Sequence, residues 1–102
     1  MPNPDALRRQ AEQLRREADS VERQARDVES RLHSQEQTIK NLEQARQDWQ
    51  NRLHAVEGQI SSTRDPNQTN SLNSQLQDIT RKLQDMDQQI QNARYERDKI
   101  AH

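Results

Sequence analysis

The sequence predicts an all-α fold: an antiparallel coiled-coil helical hairpin, with a long first helix over about residues 4–61 and a shorter second helix over about 70–101. Three observations carry this. One heptad frame runs from Leu7 to Ile60 and resumes from Leu72 to Ile100, and turn-forming residues gather in one place between these stretches. The third is composition. The 102 residues are 27% hydrophobic and 32% charged, with one Gly and no Phe, which is too little apolar surface for a globular core. A disordered chain could share those averages, but it would not place its aliphatic residues every three and four positions over fifty residues.

The first helix is expected to open at Asn3 as N-cap, with Pro4 at the first helical position and Asp5 facing the positive end of the helix dipole. Its d positions are Leu7, Leu14, Val21, Val28, Gln35, Leu42, Trp49 and Val56; its a positions are Ala11, Ala18, Ala25, Leu32, Ile39, Arg46, Leu53 and Ile60. No Pro interrupts this run and the single Gly, Gly58, lies near its end. The helix should therefore be roughly 55 to 58 residues and about 85 Å long, at about 1.5 Å per residue. A three-helix bundle broken near Ser30 to Ser34 is the alternative. The frame passes through that stretch without a shift and without Gly or Pro, which favours one continuous helix.

Ser61 to Asn70 holds the turn formers, and the hinge is placed at 62–69. The second start is ambiguous, because Asp65-Pro66-Asn67-Gln68 also reads as a cap and first turn.

In an antiparallel pair a layers face d layers, so register is tested by asking which pairing sets like with like. Pairing Ile60 with Leu72 also sets Val56 on Leu76, Leu53 on Ile79, Trp49 on Leu83, Leu42 on Ile90, Ile39 on Ala93 and Leu32 on Ile100. Gln35 then shares a polar layer with Arg97. Arg46 falls opposite Met86, with Glu43 and Asp87 as carboxylate partners. A shift of one heptad would strand Gln35 on Ile90 and Arg97 on Val28, and an unpartnered buried polar group costs about 1–3 kcal/mol. In the favoured register Arg52 flanks Lys82 and Glu43 flanks Asp87, two like-charge pairs in solvated positions.

Under this register residues 33–100 form the intrachain hairpin, and the seam from Leu7 to Val28 has no partner in its own chain. Its large d residues alternate with Ala11, Ala18 and Ala25, so two copies can approach closely when antiparallel. Leu7 then meets Leu32, Val28 meets Ala11, Leu14 meets Ala25 and Val21 meets Ala18. Flanking charges match as Arg8 with Glu29 and Arg15 with Glu22, whereas a parallel pair brings Glu17 near Glu22. The expected partner is a second copy, giving a homodimer through residues 7–32 and a rod of roughly 130 Å by helix rise. A different helical protein completing the seam is the competing occupant.

Little else in the chain carries chemistry. With 16 basic and 17 acidic side chains mixed along its length, the net charge of -1 gives no electrostatic reason to expect nucleic acid or an anionic membrane as partner. There is no Cys, hence no disulfide or thiolate site. His33 and His54 lie three heptads apart on the outer face and no His pair has metal-ligand spacing, so no metal, cofactor or catalytic residue is expected. Residues 1–11 lack the apolar core of a signal peptide and no run approaches a membrane span. The expected location is the cytoplasm, with signal-less secretion left open. Trp49 is expected to fill the seam; the competing reading is a binding anchor, since an indole is large for a two-stranded core. Tyr95 falls at an outer f position.

The opening Pro4-Asp5-Ala6-Leu7-Arg8-Arg9-Gln10-Ala11-Glu12-Gln13-Leu14-Arg15-Arg16-Glu17-Ala18 resembles the first helix of WXG100-type proteins, helical hairpins of about this length associated with type VII secretion. The resemblance implies a secreted or chaperone-like helical partner. Trp49 precedes Gln50 and Asn51 within a helix, where that family carries a Gly at a turn, and Lys99 follows Tyr95 where its export signal has an acidic residue. Two functions compete: a non-enzymatic self-associating coiled coil acting as spacer, scaffold or adaptor, and a helical substrate or partner of a type VII-like secretion system.

Overall fold

The computed structural model describes residues 3–102, which form two helices: α1, Pro4–Ser62, of 59 residues, and α2, Pro66–Ala101, of 36. They pair into a hairpin 97 Å long and 15 × 13 Å across. The path of α1 is unbroken through Ser30 to Ser34, so the hairpin has two helices and not three.

Each start is set by a side chain. The Oδ1 of Asn3 accepts the Asp5 N–H at 3.0 Å, satisfying one of the donors that a helix leaves free in its first turn. At the second start the Oδ1 of Asp65 accepts the Asn67 N–H at 3.0 Å, Pro66 occupies the first helical position, and the Thr69 N–H bonds the Asp65 carbonyl at 2.9 Å. This corrects the expected hinge over 62–69 and the second start near 70. The connection is Thr63–Asp65 only, because Asn67, Gln68 and Thr69 form the first turn of a capped helix. Thr63 leaves the helix in an extended conformation while its N–H still bonds the Gln59 carbonyl at 3.0 Å. Its Oγ1 meets the Gln68 side chain at 2.8 Å, tying the two helix ends together. No residue of this connection has positive φ. Gly58 faces open space, so its lack of a side chain serves no close approach.

The apolar seam is buried only where both helices are present. Ile39 and Val56 of α1 and Ile79, Leu83, Met86, Ile90 and Ala93 of α2 form the core. Val56, Ile79 and Leu83 make one cluster, against which Trp49, Leu53, Ile60, Leu72 and Leu76 pack. With 59 residues against 36, α1 runs past the end of α2 by about 35 Å of helix. Among the described residues no helix is long and apolar enough to cross a membrane.

Candidate protein-interaction surface

Two surfaces stand out. The first is the overhang of α1. Its heptad residues point out along one stripe, with Leu7 51%, Leu14 59%, Val21 63% and Val28 39% exposed. Ala11, Ala18 and Ala25 between them are exposed as well, while Leu32, the last residue of the expected interface, is already half-buried. It lies where the end of α2 covers α1: Arg31 and Gln35 share one groove with Glu96, Lys99 and Ile100. What holds the overhang helical within one chain is local. Arg26 bonds Glu22 at 3.1 Å, and Arg8 with Asp5 and Arg16 with Glu12 approach to 4.0 Å. Such pairs contribute about 0.2–0.5 kcal/mol each, whereas most helix stability in proteins comes from packing an apolar face.

The second surface is the polar lock along the hairpin. Gln35 donates its Nε2 to the Ala93 carbonyl at 2.9 Å, while Arg97 bonds the neighbouring Asp98 carboxylate at 3.2 Å. The two half-buried side chains find separate partners and do not bond each other. Arg46 turns its guanidinium onto Asp87, with Nε on Oδ1 and Nη2 3.4 Å from Oδ2. That hydrogen bond, and the carboxylate charge behind it, push the Arg46 pKa above its ordinary value. Glu43 is taken by Arg94 at 3.1 Å. The like-charge proximity of Glu43 and Asp87 is therefore relieved, because each carboxylate has its own arginine from the opposite helix.

Trp49 is half-buried beside the central cluster. The Arg52 guanidinium carbon lies 4.5 Å from its ring centroid and the Lys82 ammonium 6.0 Å. An aromatic face attracts cations, so the indole offers both of the like charges that the heptad frame brings together a favourable contact. Tyr95 is exposed, with the Lys99 ammonium 5.1 Å from its ring.

The described residues contain no group of three or more His, Cys, Asp or Glu placed to hold a metal ion, and no buried side-chain nitrogen or oxygen lacks a partner. The geometry offers elongated surface, not an enclosed site.

Comparison with known proteins gives one family. Neither a search of curated proteins nor one of solved structures returns a match. The profile of a family described as Effector-associated domain 9 matches residues 33–93. Its first residue lies beside the end of α2 and its last is Ala93, whose carbonyl receives Gln35. The match covers most of the segment where the helices lie on one another, and leaves out the overhang, the last residues of α2 and the opening residues that resemble WXG100-type proteins. With more than half of its length matched, this all-helical chain belongs to the Effector-associated domain 9 family.

Proposed function

We propose that this chain is a non-enzymatic adaptor that self-associates through residues 7–32 of α1 and presents its hairpin as a rigid arm. The observation that carries the reading is the exposed stripe of Leu7, Leu14, Val21 and Val28, which continues the same heptad frame that is buried in the hairpin. Membership of an effector-associated family supports a role in joining proteins.

A second copy suits the stripe better than a flat surface would. In the antiparallel arrangement each large residue except Leu7, which meets Leu32, falls on an alanine, and Arg8 and Arg15 come beside Glu29 and Glu22 of the other chain. Exposed pairs of this kind favour one orientation more than they add affinity. Alanine layers bury little area, so the association depends on concentration. Scaffold or spacer use follows from the rod that two such chains form.

Sedimentation of the full chain over a range of concentrations tests the proposal. A monomer–dimer equilibrium is expected, and Leu14→Glu should abolish it while leaving the hairpin helical by circular dichroism. A chain that stays monomeric at every concentration contradicts the reading. The alternative, a helical partner of a type VII-like secretion system, is supported by residues 4–18 alone. It gains ground if the chain is monomeric and forms a stoichiometric complex with a purified WXG100-type protein.

A further inference from the structure

The open end of the hairpin carries a second inference, which rests on the self-association reading. In the antiparallel pairing that sets Leu14 on Ala25 and Val21 on Ala18, the second copy's Leu7 comes level with Leu32. That place is already taken. Ile100, in the last turn of α2, lines one groove with Ser30, Arg31 and Gln35 of α1. Both Leu32 and Ile100 remain half-buried there, in contrast to Ile39, Ile90 and Ala93 deeper in the seam, which are buried.

Sliding one heptad along the stripe is disfavoured. That shift would set Arg15 beside the other chain's Arg15 and Glu17 beside its Glu17, like charges facing each other across the two-fold axis. The matched charges favour the first pairing, which puts the second copy's first turn beside α2.

We propose that the first turn of the second copy, Asn3 to Arg9, docks in the groove between α1 and the last turn of α2, forming a three-helix clasp in which its Leu7 covers Leu32 and Ile100. Asp5 of that copy comes level with Lys99, whose ammonium is otherwise 3.9 Å from Glu96. Arg31 lines the same groove and adds a second cation facing that carboxylate. Two-fold symmetry places one clasp at each end of the self-association segment. The clasp sets where the two chains stop sliding, a register that Ala-rich layers alone specify weakly.

Cross-linking separates the clasp from the dimer. The chain has no Cys, so single-Cys variants of the full chain carry one thiol each. Within one chain residues 5 and 99 lie about 40 Å apart by helix rise, and a short bis-maleimide can join them only between chains. Mixed Asp5→Cys and Lys99→Cys chains should cross-link, as should mixed Ala18→Cys and Val21→Cys chains. If the second pair joins and the first does not, the clasp is overturned and the dimer stands. If neither pair joins, both are overturned. Independently, Ile100→Ser should weaken the dimer several-fold in sedimentation with helicity retained, and an unchanged dimer constant contradicts the clasp.

Discussion

Arg46 of α1 and Asp87 of α2 form the central ion pair of the hairpin, the guanidinium facing both carboxylate oxygens across the seam. Arg46 holds an a position, where an aliphatic residue would ordinarily pack, and Met86 beside it is among the most buried residues of the chain. The arginine stem covers the seam while its head stays in reach of water. An arginine is charged throughout the range in which the protein is handled, with or without this partner. With the folded pKa above the unfolded one, the stabilisation from Arg46 is fully present below the ordinary guanidinium pKa and is lost only as pH rises through the folded one.

Asp87→Asn removes the charge and keeps the shape. Both side chains are partly exposed, so the expected loss in urea unfolding is small. The difference from the parent chain should shrink as salt is raised. A loss that does not respond to salt would mean that packing, not charge, is at stake.

We propose that Gln35 acts on register more than on stability. Gln35→Ala should cost about 1 kcal/mol, the ordinary contribution of one such hydrogen bond. Gln35→Leu should recover most of that by filling the seam, yet it removes the penalty against setting residue 35 on Ile90. Cysteines placed at Leu53 and Ile79 should form a disulfide cleanly in the parent and less completely in the Gln35→Leu background.

Trp49 reports on the middle of the hairpin. Trp49→Ala should destabilise by about 2–3 kcal/mol, somewhat below the loss for a fully buried indole. Arg52→Ala should leave the fold intact and make the indole more accessible to a neutral quencher, since it removes the cation 4.5 Å from the ring. Unchanged quenching would show that Arg52 does not shield the ring in solution.

The short connection depends on Asp65. Asp65→Ala should lower stability by about 1 kcal/mol through loss of the N-cap. Fraying should be confined to the first turn of α2, read as faster amide exchange at Asn67 and Thr69. Exchange spread evenly along α2 would argue against a local cap.

Fold class, helix number and chain direction were legible in the sequence because each depends on side-chain periodicity, which the heptad frame records directly. The connection was less so. Ser, Thr, Asn and Pro favour turns and the first turn of a helix alike, and only the Asp65 cap decides between them. The partner of Gln35 was hidden for another reason: it is a backbone carbonyl, and side-chain layers do not record carbonyls. Arg52 and Lys82 read as repulsion, since a charge count along the seam leaves out the indole that both approach. The exposed stripe, by contrast, follows from arithmetic on helix lengths, and Leu7 to Val28 were legible as the residues left uncovered.

Self-association through the overhang is the central claim, and one distance tests it. A spin label on Arg9→Cys, on the outer face of the stripe, reports the separation of equivalent sites in two chains. The antiparallel pairing predicts an intermolecular distance of roughly 30 Å from helix rise. A distance near the full width of two packed helices, about 20 Å, would show a parallel pair, and absence of any intermolecular signal would show that the stripe is not covered by a second copy.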